Sequence, residues 1–163
     1  MAYADGDPQT KKQQASSVAL SKCGMAAAAN LIGDRWTLLI IREALYGVTR
    51  FDEMQAELKV PRTVLSGRLK KLCNAGVLKL RPYKEPGQRA RNQYVLTKRG
   101  VDLALPMMAL MQWGDAHCRD GSSAAEITDR QTGAVCHVGL VREDGVAVDT
   151  RAVQFQVLDK AAS

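Results

Sequence analysis

Between Pro61 and Asn74 the apolar residues Val64, Leu65, Leu69 and Leu72 fall one, four and three positions apart, so a helix gathers them into one stripe. The other side of that helix carries Arg62, Thr63, Ser66, Arg68, Lys70 and Lys71. A strand would mix the two sets, because its side chains alternate. Pro61 suits the helix start, where its missing N–H is unpaired in any case, and Gly76 ends the segment. The period then drops to two. Leu78-Lys79-Leu80-Arg81 alternates, Pro86-Gly87 marks a turn within 82–90, and Asn92 to Leu96 reads as the returning strand. A helix with one dry and one basic face, followed at once by a hairpin, leaves few architectures open.

The flanks narrow them further. An alanine-rich, proline-free stretch from Ser16 to Ile32 predicts a first helix, ended by Gly33-Asp34. Asp34 then caps a second, Arg35 to Tyr46, with Trp36, Leu39, Ile40 and Leu45 inside and Gly47 as its stop. Thr49-Arg50-Phe51-Asp52 has the form of a capping box and opens a third helix with Phe51, Met54 and Leu58 inward. Lys59-Val60 links it to the basic helix. Thr97 caps a fifth helix, Lys98 to Arg119, expected to kink at Pro106. That helix carries Val101, Leu103, Leu105, Met107, Met108, Leu110, Met111 and Trp113, more apolar surface than one small domain covers, so it is expected to form a subunit interface. Residues 1–15 read as a flexible arm, 16–121 as the domain and 122–163 as a small β extension. In that extension 134–141, 146–148 and Val153 to Val157 are β-like, with a turn at Glu143-Asp144-Gly145. The expected fold class is α+β, mainly α: a winged helix-turn-helix with terminal dimerisation helices and a small C-terminal β hairpin.

Charge agrees with this reading. Residues 1–59 hold 7 basic and 7 acidic residues, 60–99 hold 11 basic residues and Glu85 alone, and 100–163 hold 5 basic and 9 acidic residues. The whole net charge of +6 thus arises from a segment of +10 that coincides with the basic helix and the hairpin. Such a field attracts a polyanion. Arg62 and Arg68 are candidates for bidentate contact with guanine, Thr63 and Ser66 are short enough to let a helix sit deep, and Lys70 and Lys71 suit phosphates. Lys84, Gln88, Arg89 and Arg91 give the hairpin the composition of a backbone or minor-groove contact. Arg68 also has an intramolecular alternative, an acid elsewhere in the domain. Tyr83 and Tyr94 are expected to pack rather than stack on bases, and aromatics at 5% argue against an RNA-binding sheet.

Other classes find less support. His117 and His137 each adjoin a cysteine (Cys118, Cys136), so Cys/His enzyme chemistry is formally available, but no flanking signature and no glycine-rich phosphate loop accompany it. Their spacing fits no zinc motif, and neither a metal nor a cofactor is expected. An interaction module on the same fold would have no need of the +10 segment. No apolar run is long enough to cross a bilayer and residues 1–14 are polar, so a cytoplasmic protein with reduced thiols is expected, with no disulfide framework. Cys73 is expected to pack.

Five stretches together resemble the HxlR-type, MarR-like winged helix-turn-helix regulators: CGMAAAANLIGDRWTLLIIREAL (Cys23–Leu45), RFDEMQAEL (Arg50–Leu58), VPRTVLSGRLKKLCNAGVL (Val60–Leu78), NQYVLTKRG (Asn92–Gly100) and Trp113-Gly114. The chain departs from them in having Cys23-Gly24 where the family often has Cys-Pro. The resemblance implies a homodimer, formed by the first and last helices, that binds an inverted-repeat operator in double-stranded DNA near its own or a neighbouring gene. It also implies release by a small-molecule effector or an oxidant. Cys23 matches the thiol through which some members sense oxidants, and Cys118 is then its candidate partner on the other subunit. Trp36 and Trp113 are the candidates for an effector pocket at the dimer seam.

Overall fold

A computed structural model describes residues 19–119 and 123–156. The expected arm over 1–15, the opening of the expected first helix at 16–18, and Val157 lie outside the described residues. Helix α1 (Gly24–Ile32) starts later than the alanine content predicts. Leu20–Lys22 forms a single 3-10 turn and Cys23 is extended at the cap, φ −85 and ψ 116. Gly24, a poor helix former, thereby takes the first helical position rather than an interior one.

Helix α2 (Arg35–Leu45) is capped as expected: the Asp34 carboxylate accepts from the Thr37 amide at 3.1 Å and from its hydroxyl at 2.6 Å. Gly47 at φ +89 then turns the chain. Helix α3 (Phe51–Leu58) is not opened by a capping box. Arg50 is its cap residue and makes no side-chain cap bond, while the Thr49 hydroxyl is bonded to the Gln93 side-chain amide at 2.8 Å and the Thr49 carbonyl accepts from the Tyr94 amide at 2.7 Å. A partner 44 residues away outcompetes the local one. Helix α4 (Arg62–Asn74) begins one residue after Pro61, which serves as its cap.

Ile40 and Ile41 of α2, Met54 of α3 and Leu65, Leu69 and Leu72 of α4 are completely buried, with Val60, Val77 and Leu78 closing the core. Each such side chain contributes roughly 1.5–3 kcal/mol by leaving water. Strands β1 (Leu78–Tyr83) and β2 (Arg91–Leu96) form an antiparallel pair from Leu78 opposite Leu96 to Tyr83 opposite Arg91. Pro82 lies in β1 rather than in the turn, which a two-stranded ribbon tolerates because one edge of each strand needs no partner.

The expected fifth helix is two: α5 (Lys98–Val101) and α6 (Ala104–Cys118). The break falls at Asp102-Leu103 rather than at Pro106. Pro106 therefore sits in the first turn of α6, where no intrahelical N–H is required. Beyond α6, a minimal hairpin pairs β3 (Leu140–Val141) with β4 (Ala147–Val148) across a turn with Gly145 at φ +83. Residues 150–152 form a 3-10 turn and 153–156 are irregular, so the expected strand at Val153 is absent over its described part. Residues 153–156 alternate but pair with no edge among the described residues.

Candidate nucleic-acid interface

Burial of the leucine stripe fixes how α4 is rotated. Arg62, Thr63, Ser66, Gly67 and Lys70 are consequently exposed along one side of the helix. Three of these are small, and a Cβ added at Gly67 would meet nothing within 4 Å. Arg62 lies over the Phe51 ring with its guanidinium carbon 4.7 Å from the centroid. Two other basic residues of α4 are engaged internally. Arg68 Nε donates to Asp34 at 2.9 Å, and Lys71 Nζ donates to the Asn30 carbonyl at 2.9 Å. Burial raises the Asp34 pKa, but the Thr37 hydroxyl and amide and the Arg68 guanidinium outweigh it and hold that carboxyl below its ordinary value. One acid thus caps α2 and locks α4 against it.

The wing is fixed to α3 by a polar seam. Arg50 pairs with Glu85 at 2.7 Å and stacks 4.6 Å over Tyr83, while the Gln93 amide links Thr49 to the Arg81 guanidinium, at 2.8 and 3.1 Å. Tyr94 is half-buried against the core, where burial raises its pKa, with the neighbouring Cys73 adding to it. The wing tip turns at Gly87, φ +76, and leaves Lys84, Gln88 and Arg89 exposed. No ion pair to a described residue engages Lys70, Lys84 or Arg89. Arg91, the first residue of β2 after the wing tip, faces Asp52 of α3 at 3.8 Å, and Arg62 faces the same carboxylate at 3.6 Å.

The remaining candidate residues are dispersed. Cys23 is half-buried ahead of α1, and Cys118 is exposed at the end of α6. Burial raises the pKa of the Cys73 thiol, as befits a packing residue. Trp36 packs on the core beneath the Arg35 guanidinium, whereas Trp113 is exposed on α6 beside His117, ring centroids 5.3 Å apart. Neither tryptophan lines the cavity of about 360 Å³ between α6 and residues 123–137, whose walls include Met111, Asp115, Ile127 and Cys136. There Gln112 accepts from the Val138 amide at 2.7 Å and lies 3.1 Å from His137 Nδ1, fastening the extension to the helix. Sequence reasoning missed Asp52 and Gly67, although Asp52 stands in the Arg50-Phe51-Asp52-Glu53 run and Gly67 is a glycine inside a strong helix pattern.

A basic helix seated by its leucines, with a two-stranded wing braced beside it, is the arrangement of the winged helix-turn-helix class. Within that class the chain belongs to the HxlR-like helix-turn-helix family, which matches residues 31–122. An HTH-type transcriptional regulator of Mycobacterium tuberculosis is 44% identical over 90 residues, 55% of this chain and 56% of that protein. The chain thus matches little more than half the length of that relative. YodB of Bacillus subtilis, also an HTH-type transcriptional regulator, is 28% identical over 63% of this chain and 90% of its own. Among solved structures, PA1607, a candidate transcription factor, superposes with a TM-score of 0.71 at 28% identity, covering 83% of this chain and 95% of that one. PA1374 of Pseudomonas aeruginosa does so at 0.59 and 30%, covering 86% and 95%.

Proposed function

We propose that this protein is a homodimeric, sequence-specific regulator that lays the α4 helices of its two protomers in successive major grooves of an inverted-repeat operator near its own or a neighbouring gene. The observation that carries this is the solvent face of α4: short side chains at its centre, Arg62 and Lys70 at its ends, and the exposed cations of the wing tip beside it. Arg62, Thr63 and Ser66 face base edges, and Lys70, Lys84, Arg89 and Arg91 take phosphates. Arg68 and Lys71 serve the interface by holding α4 at its angle, through Asp34 and Asn30.

Dimerisation rests on α6. Leu105, Leu110 and Trp113 are 63%, 51% and 59% exposed in the single chain, large apolar side chains that water does not favour. An effector entering the cavity beside α6, or oxidation at Cys23 and Cys118, changes the spacing of the two reading helices and releases DNA, acting as a repressor's inducing signal does. Among the described residues no helix is long and apolar enough to cross a membrane.

The test is an electrophoretic mobility shift on the DNA upstream of the protein's own gene, across a salt series, repeated with diamide and with dithiothreitol. A selective, dimer-sized footprint with a log–log slope of several phosphates is expected. Absence of any shift at low salt overturns the proposal, and a shift indifferent to diamide removes the thiol arm while leaving the effector arm standing.

A further inference from the structure

The N-terminal turn of α3 is acidic, with Asp52 and Glu53 both exposed. That sign suits a helix N-terminus but not a face that meets phosphates. The first helix of a helix-turn-helix crosses the DNA backbone, and a helix N-terminus with its free N–H groups is a ready seat for a phosphate. Here that turn carries a carboxylate, which stands between the two arginines that border it. Asp52 lies 3.6 Å from Arg62, at the start of the reading helix, and 3.8 Å from Arg91, where β2 leaves the tip of the wing. Its side chain is 71% exposed, and those of Arg62 and Arg91 are 70% and 59% exposed.

The helix N-terminus favours an acid in this turn, but that does not require the acid to face two arginines. Ion pairs so exposed contribute almost nothing to folding, since water screens them and two long side chains must be ordered. The α3–wing joint already has the closer pairing of Arg50 with Glu85 at 2.7 Å, together with the backbone bond from Tyr94 to Thr49. What the carboxylate does control is the price at which two guanidiniums become available to an incoming anion. A phosphate reaching Arg62 or Arg91 must displace Asp52 and approach its negative charge. A random stretch of duplex offers only the phosphate lattice. A cognate site also offers base edges to Arg62, which offset the loss of the carboxylate.

We infer that Asp52 is a specificity-determining residue of the DNA-binding face, restraining Arg62 and Arg91 so that non-specific duplex is bound weakly while the operator is not penalised to the same extent. The inference rests on the DNA-binding reading of α4 and the wing. It assigns to an acid in a basic face a role that none of the eleven basic residues of the segment 60–99 can fill.

The experiment compares the full-length protein with Asp52→Asn, using fluorescence anisotropy on two duplexes. One carries the site selected by the wild type from a random pool, and the other is its scrambled counterpart. Glu143→Gln, which removes the same charge from the exposed turn of the extension, is the control for net charge. Circular dichroism melts confirm that each variant is folded. Asp52→Asn is expected to bind the scrambled duplex about three- to tenfold more tightly, with the salt slope steeper by about one to two, and to gain less on the selected site. The ratio of the two affinities therefore falls. In an Arg91→Gln background the same substitution should have a smaller effect. A ratio unchanged from wild type, or a change matched by Glu143→Gln, overturns the inference. So does a loss confined to the selected duplex, which would make Asp52 a direct reader of a base. A wild type that binds no duplex at all overturns the regulator reading itself, and is distinguishable because it precedes any comparison of variants.

Discussion

Asp34 joins two helices through one carboxylate: Thr37 uses it to start α2, and Arg68 uses it to hold α4. Its folded-state pKa is depressed, so its contribution is present above the unfolded value of about 3.9 and fades as pH falls through the folded one. Asp34→Asn keeps a cap of nearly equal quality but removes the charge that Arg68 needs. Urea titrations should therefore find the variant less stable than wild type at pH 7, with the gap closing as the buffer is taken below about pH 4. A gap that persists unchanged to pH 3 would place the loss elsewhere. Gly67 poses the opposite problem. A helical glycine on an exposed face costs about 0.5–1 kcal/mol relative to alanine, and nothing in the protomer stands where its Cβ would be. Gly67→Ala should raise the melting temperature. If the bare backbone serves close approach to the groove floor, it should also weaken binding to the selected duplex several-fold. Stabilisation with unchanged affinity would make Gly67 an ordinary surface glycine.

At the scale of the element, the legible parts are those set by local periodicity. The stripe Val64, Leu65, Leu69 and Leu72 gave α4 its position and its rotation, because a helix must bury such a stripe, and Asp34 before Arg35 is a cap on any reading of the chain. Expectations fail where another bond competes with the local pattern. Thr49 has the residues of a capping box behind it, yet its hydroxyl goes to Gln93 on the wing. Pro106 lies within a helical pattern, yet the break comes earlier, where Leu103 N–H bonds back to the Gly100 carbonyl in a tightened turn. Which acid would meet Arg68, and that Asp52 would sit between Arg62 and Arg91, depends on the angle between α3, α4 and the wing, which no window of sequence contains. Gly100 shows the same limit. It looks like a permissive glycine in a helix, but it is buried where a Cβ would run into the Val77 carbonyl and the Leu96 side chain. Because the Val77 carbonyl also accepts from the Thr97 amide at 3.0 Å, the base of the wing cannot yield without losing that bond. Gly100→Ala should be markedly destabilising, by about 1–3 kcal/mol in a denaturant titration, despite the better helix propensity of alanine. A stabilising outcome would show that α5 shifts freely over the wing.

The whole molecule is uneven in a way that a single copy does not resolve. The core between α2, α3, α4 and β1 is dry, while α6 has no fully buried residue although it is among the most apolar segments of the chain. Leu20 and Met25, ahead of and within α1, are likewise left in water at 80% and 78% exposure. Two apolar elements lacking cover are what a two-fold partner would cover, since in an isologous pair the same patches serve both subunits. Placing charges on α6 tests this without touching the core. Leu105→Glu with Leu110→Glu adds two carboxylates to positions already solvated in the monomer, so the fold should survive, with little change in far-ultraviolet dichroism. In the dimer the same carboxylates would be desolvated and opposed by their own copies. Sedimentation should then show a monomer where the wild type is expected to sediment as a dimer. DNA affinity should fall about a hundredfold or more, because the second half-site no longer binds as an intramolecular event. A variant that stays dimeric would move the interface off α6. A monomer that keeps full affinity would mean that one reading helix and one wing suffice, and that the inverted repeat is not the unit this protein recognises.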